Sequence, residues 1–224
     1  RPLMTQPMHA AAHVEPVAAG AEPVSIIRRP RPSRQKKDRR TDILQTLARL
    51  LENPSCDRIT TAMIARELGL SEAALYRSFS SKGAMYDALI AFVETSVLTL
   101  FSKIREDQNL RPIQRIQYMA GILLDFADAN PGLTRVMTGQ VLLKEDPMLM
   151  ERMMKLIDTI EAQVRQTYRD AVLAGALPAD FNANASANLM MNWVLGRWTR
   201  FANTNFRVRP NGVSVTALQP FFVH

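Results

Sequence analysis

RITTAMIARELGLSEAALYRSFSSK, residues 58–82, contains apolar side chains spaced as on two short helices. Ala65 and Leu68 fall on one face of the first helix. Gly69 follows where a helix ends, and Ser71 is a favourable N-cap for the second helix. Two helices joined by so short a turn predict a helix-turn-helix, whose second helix can enter the major groove of DNA.

The second helix combines a buried face with a surface suited to DNA. Its small side chains allow a close approach to base edges, and the aromatic and basic groups around it suit phosphates. Hydroxyls and backbone N–H groups ahead of the first helix suit a phosphate as well. An ordinary pair of packed core helices is the alternative interpretation. The predicted DNA contacts are Thr60, Ser71, Ala73, Ala74, Tyr76, Arg77 and Lys82.

Composition limits the class of protein. The chain has 224 residues, 47% of them hydrophobic, enough for one sizeable core and a small accessory domain. We see no apolar run as long as a membrane span and no signal peptide. The one cysteine, Cys56, excludes an internal disulfide and fits a reducing cytoplasm.

Histidine usage argues against an enzyme. His9, His13 and His224 all lie in predicted tails, so neither a histidine-centred triad nor a histidine-rich metal site is expected in the folded part. The sequence contains no glycine-rich phosphate loop. We therefore predict a protein without catalytic residues, metal or cofactor.

The N-terminal extension, residues 1–38, is proline- and alanine-rich and is predicted to be disordered. Its last part belongs to a basic arm, residues 28–40, with eight basic residues and one acidic residue. The arm therefore has a net charge of +7, which equals the net charge of the whole chain, so the basic and acidic residues outside the arm are equal in number. A solvated tail is the plain interpretation, but the position of the arm, directly before the DNA-reading unit, favours contacts with phosphates or a minor groove.

The remaining pattern is all-α. A first helix over 39–52 completes a three-helix DNA-binding domain, residues 39–82, and a long helix over 82–105 connects it to a helical body, residues 83–224. Prolines suit the first position of a helix, where the missing N–H costs nothing, and they predict three helix starts in the body. These prolines are Pro112, Pro131 and Pro147.

The segment 183–203 is apolar around much of its circumference, which indicates burial on more than one side. With a last helix over 213–223, it is predicted to form a bundle with the same helices of a second subunit. A palindromic operator has two-fold symmetry and is bound by a protein dimer with the same symmetry. A plain core helix is the alternative. The predicted dimerisation residues are Trp193, Val194, Trp198 and Phe201.

This organisation resembles the TetR family of bacterial regulators. Within that family, ILQTLARLLE, the helix-turn-helix stretch, NPGLTRVMTG, IEAQVRQ and GRWTRFANTNFRVRP resemble the branch of nucleoid occlusion factors, with NPGLTRVMTG the most specific. The resemblance implies a nucleoid-associated homodimer that binds palindromic chromosomal DNA and blocks septum formation by antagonising polymerisation of the tubulin-like protein FtsZ. It assigns the same seven DNA contacts, and a groove around Phe92 and Ile122 for the FtsZ tail.

The chain departs from that pattern in several places. Ser78 and Ser80 stand where relatives usually have histidine and proline. Leu100 and Ala129 stand where relatives have basic residues beside the partner groove. The resemblance therefore leaves the electrostatic part of partner binding open.

Two other functions compete with nucleoid occlusion. One is a TetR-type transcriptional repressor that a small ligand in the C-terminal body releases from DNA. The other is an enzyme or interaction scaffold built on a helical bundle. A connected apolar cavity favours the repressor, whereas a filled body with an exposed groove favours the occlusion factor. The side chains proposed to line such a pocket are Met119, Met153, Met154, Met190, Trp193 and Trp198.

Overall fold

The computed structural model describes residues 39–55 and 58–213. The N-terminal extension, most of the arm, Cys56 and nearly all of the predicted last helix lie outside the described residues. Within them the predicted all-α fold is confirmed, with eight helices and no strand. The helices are α1 Arg39–Leu51, α2 Thr61–Leu68, α3 Glu72–Ser78, α4 Lys82–Glu106, α5 Pro112–Ala129, α6 Pro131–Met137, α7 Pro147–Leu173 and α8 Ala183–Asn203.

Prolines and glycines set the helix boundaries of the body. Pro112, Pro131 and Pro147 each occupy the first turn of a helix, as predicted. At the far end of α7, Gly175 takes a φ of 72°, a left-handed conformation that ends the helix at little cost. The prolines therefore fix where α5, α6 and α7 begin, and Gly175 fixes where α7 ends.

The helices α1, α2 and α3, which we call the reading unit, share a small apolar core. Ile43, Leu47, Ile64 and Leu75 are fully buried within it. Gly69 ends α2 with a φ of 64° and a ψ of 33°, and the chain then turns directly into α3. The predicted helix-turn-helix is therefore present.

The long helix α4 belongs to two cores at once. Its first half buries Met85 and Leu89, and its second half buries Val97 and Phe101. By length and composition α4 could cross a membrane, contrary to the expectation that no apolar run is long enough. Its buried side chains instead join one connected core that includes residues of the reading unit and of α5 to α8. We call the helices α4 to α8 the body.

Three of the predicted dimerisation residues belong to the core of a single subunit. Val194, Trp198 and Phe201 are 0–2% exposed. The indole N–H of Trp198 donates to the carbonyl of Leu123 on α5 at 2.9 Å. Their assignment to a dimer interface was wrong because α8 is covered by its own subunit on that side. Trp193 is half-buried.

The predicted ligand-pocket residues are also mostly packed core. Met119, Met153, Met190 and Trp198 are at most 1% exposed, while Met154 lies on the surface. None of the three described clefts, of about 250 to 500 Å³, is lined by any of the six proposed residues. Four of the six residues are therefore packed core within one subunit, which gives no support to the ligand pocket of the rival interpretation.

We expect Gly69→Ala to destabilise the protein by about 1 kcal/mol, because a side chain with Cβ is strained at a left-handed φ although nothing crowds the site. Gly121→Ala, inside α5 and equally uncrowded, is the matched control and should instead stabilise by about 1 kcal/mol. Urea unfolding followed by circular dichroism measures both. Equal shifts in the two variants would contradict the turn argument.

Candidate nucleic-acid interface

The helix α3, which the sequence predicts to enter the major groove, presents one exposed face. Ser71, Ala73, Tyr76 and Arg77 are exposed, with Tyr76 at 47%. Neither Tyr76 nor Arg77 makes a hydrogen bond or ion pair with another described residue, so both are available to a ligand. A small N-terminal turn followed by an aromatic and a basic side chain can meet both base edges and phosphates.

Ala74 does not belong to that face. Its exposure is 6%, and it lies beside Leu75 in the core of the reading unit. Its backbone N–H is already bonded to the hydroxyl of Ser71 at 3.2 Å, the N-cap of α3. Neither its side chain nor its N–H is free for DNA, so its assignment as a contact is corrected.

The N-termini of α2 and α3 are tied to each other. The hydroxyl of Thr60 is exposed at the N-cap of α2 and accepts from the N–H of Met63 at 3.2 Å. The hydroxyl of Thr61 donates to the Glu72 carboxylate at 2.8 Å. Because this bond engages the acidic group of the first turn of α3, it holds a negative charge at the favourable end of the helix dipole. Sequence reasoning missed this contact.

Lys82 has a different role from the predicted one. Its ammonium donates to the carbonyl of Ile59 at 2.8 Å and pairs with Glu145 at 2.8 Å, and the side chain is only 15% exposed. A cation bound on both sides within the protein has little capacity left for a phosphate. The structure makes Lys82 a tie between the reading unit and the loop before α7.

The C-terminal end of α3 is fixed by α1. The guanidinium of Arg40 lies 4.0 Å from the centre of the Phe79 ring and donates to the carbonyl of Ser78. Cation–π and hydrogen-bond contacts of this kind orient a helix end. In the sequence Arg40 is only the last residue of the basic arm, so nothing indicated this contact.

Phe92 and Ile122, predicted to bind a partner, lie on the neighbouring helices α4 and α5 and are both half-buried. Phe92 packs on Phe126, with ring centres 6.4 Å apart. Leu100 and Ala129 are half-buried on the same two helices. The two positions at which the resemblance gives relatives basic residues are therefore apolar in this chain.

Two acidic residues of α5, Asp125 and Asp128, are bonded to the chain that follows α8. Asp125 is exposed and accepts from the side chain of Asn211 at 3.0 Å, and Asp128 pairs with Arg209. The hydrogen bond with Asp128 raises the pKa of Arg209 above its ordinary value. The chain after α8 is thus folded back onto α5. Arg197 of α8 also holds this segment by donating to the carbonyl of Pro210 at 3.0 Å.

Comparison with known families places this architecture. The family model "Bacterial regulatory proteins, tetR family" matches residues 43–89, and "Tetracyclin repressor-like, C-terminal domain", the SlmA-like form, matches residues 111–222. The nucleoid occlusion factor SlmA of Marinomonas sp. is 39% identical over 80% of this chain and 90% of its own length. SlmA of Idiomarina loihiensis is 40% identical over 79% of this chain and 89% of its own length.

The chain belongs to the TetR family, in its branch of nucleoid occlusion factors. This is a family of DNA-binding regulators rather than of enzymes. The TetR fold is also that of the regulator FadR from Bacillus subtilis, solved in complex with stearoyl-CoA, with a TM-score of 0.65 and 10% identity over 81% of this chain and 97% of that one. At that identity the likeness concerns the fold alone.

In this TetR-family reading unit, Tyr76→Ala and Arg77→Ala should each weaken binding to the operator by about 1–3 kcal/mol, because each removes an exposed group from the face of α3. Fluorescence anisotropy with a labelled operator measures the loss. Lys103→Ala, an exposed cation about 30 Å along α4, is the control for loss of charge. Unchanged affinity in both α3 variants would overturn the docking of α3.

Proposed function

We propose that the protein binds palindromic chromosomal sites as a homodimer and, while bound, inhibits polymerisation of FtsZ, so that no septum forms over the nucleoid. The observation that carries this proposal is the roughly 40% identity to nucleoid occlusion factors over about four fifths of the chain. The exposed face of α3 supports the DNA-binding part. The place of action is then the nucleoid, within the cytoplasm.

DNA binding divides between two parts of the chain. The exposed side chains of α3, together with Thr60 at the start of α2, supply the contacts that depend on sequence. The basic arm, most of which lies outside the described residues, carries the net positive charge and supplies attraction to phosphates of any sequence. Affinity and specificity then come from different segments.

A homodimer needs a surface other than the one predicted from Trp198. Each of α7 and α8 leaves apolar groups uncovered: Met154 is 52% exposed on α7 and Leu189 is 42% exposed on α8. Gly196 on α8 is also exposed, and a Cβ added there would meet nothing within 4 Å, which permits another helix to approach. We place the dimer contact on these faces of α7 and α8.

Leu189→Asp should convert the dimer to a monomer, because a buried carboxylate without a partner opposes association. Sedimentation equilibrium distinguishes the subunit mass of 25.2 kDa from twice that mass. Leu143→Asp is the matched control, since Leu143 is 75% exposed in the loop between α6 and α7. A dimer that withstands Leu189→Asp would refute this interface.

The surface around Phe92 and Ile122 is proposed to receive the tail of FtsZ. Both side chains are half-buried, so a partner segment can cover them without unfolding the body. Burial of apolar area has to supply most of the affinity, because Leu100 and Ala129 offer no charge.

Light scattering of FtsZ with GTP tests the proposal. The protein is added alone and then with chromosomal fragments that it has been shown to bind, and we expect loss of polymer that depends on the DNA. Phe92→Ala should remove this effect while leaving DNA affinity unchanged, because it shortens the apolar surface of α4.

Leu98→Ala serves as the control, since Leu98 is also half-buried on α4 but lies on another side of the helix. If saturating amounts of the DNA-bound wild-type protein leave FtsZ polymers intact, the occlusion function is refuted. The ligand-controlled TetR repressor then becomes the better interpretation, with its ligand site elsewhere than the packed methionines.

A further inference from the structure

The motif NPGLTRVMTG, residues 130–139, forms the contact between the reading unit and the body. Its helix α6 packs on α1 as well as on α4, α5 and α8. The approach to α1 is too close for any side chain at Gly132: a Cβ there would lie 2.0 Å from the carbonyl oxygen of Ala48. Glycine is therefore required for α6 to meet the backbone of α1.

Arg135 adds a directed polar contact three residues later. Its Nη1 donates to the carbonyl of Leu51 at 2.9 Å and approaches that of Asn53 at 3.5 Å. Leu51 is the last residue of α1, where carbonyls lack partners within the helix and the helix dipole is negative. A cation from the body thus completes the end of a helix in the reading unit.

On the other side α6 is anchored to α5 by buried hydrogen bonds. The hydroxyl of Thr134 donates to the carbonyl of Ala127 at 3.0 Å, and the amide of Asn130 donates to that of Phe126 at 2.8 Å. Both polar residues are at most 2% exposed. Because such bonds are costly to break without replacement, α6 cannot slide along α5.

We propose that Gly132 and Arg135 are positioning residues for DNA binding: they set where the reading unit sits on the body, and so which half-site spacing the dimer accepts. This rests on the proposed homodimer and palindromic sites. One inserted base pair moves a half-site by about 3.4 Å and turns it by roughly 35° around the duplex. A reading unit held by a backbone contact and a helix-end cation cannot follow such a change.

The test uses the full-length protein and a palindromic operator obtained by selecting genomic fragments that the wild type binds. Anisotropy titrations compare the operator with versions that have one base pair removed, one added or two added, and with a single half-site. For the wild type we expect a steep loss at every altered spacing. In Gly132→Ala and Arg135→Gln that penalty should shrink by about fivefold or more, the lower end of usual coupling between linked sites.

Two matched variants separate positioning from general effects. Gly121→Ala adds a methyl group to a helix at a site with no neighbour within 4 Å. Lys144→Gln removes a positive charge from the same cleft that Arg135 lines. Both should keep the wild-type spacing profile. Circular dichroism at the assay temperature confirms that each variant is folded, and Arg135→Gln keeps the test decisive if Gly132→Ala does not fold.

The outcomes are distinguishable. If the wild type discriminates between spacings and Arg135→Gln keeps the same spacing profile, whether its affinity falls equally at every spacing or does not change at any, the positioning role is overturned while the homodimer stands. If the wild type binds a half-site as tightly as the palindrome, the homodimeric function fails, and the spacing proposal fails with it.

Discussion

The position of every functional surface depends on the burial of α4 along its length. The same helix buries Met85 and Leu89 near the reading unit and Val97 and Phe101 within the body, in one connected apolar core. A domain linked by an exposed tether could tilt freely, but a helix whose side chains are buried at both ends cannot rotate without opening the core. The helix α3 is therefore carried by the body as a rigid extension.

Polar contacts at the edge of that core add direction to it. Lys82 joins Ile59 to Glu145, and Arg135 joins α6 to the end of α1. Each contact brings a cation from one part to carbonyls of the other. The hydrophobic effect has no preferred direction, whereas a hydrogen bond of 2.8 or 2.9 Å fixes the direction between its donor and its acceptor. The apolar core holds the reading unit and the body together, and these hydrogen bonds set the orientation of one relative to the other.

The sequence predicted elements whose cause is local. Pro112, Pro131, Pro147 and Gly69 act through their own backbone geometry, so their effects do not depend on neighbours. The exposed residues of α3 were found for the same reason, because the helical period assigns one side to the core. The errors also have a common physical origin. The sequence indicates that a side chain is suited to burial, but it does not indicate which residue covers it. A helix that is apolar on most sides, such as α8, has the same sequence pattern whether it packs within its own subunit or against another subunit. In the structure Trp198 contacts Leu123 of its own subunit. Lys82 was assigned to phosphate because its partner Glu145 lies far along the chain.

The two proposed binding surfaces differ in the force available to them. The arm holds the net positive charge of the chain, so attraction to DNA is electrostatic and is screened by salt. Around Phe92 the positions Leu100 and Ala129 are apolar. Association there relies on apolar burial, which salt does not screen. A partner segment that fits this surface is therefore mainly apolar, because its affinity comes from the apolar area that it buries.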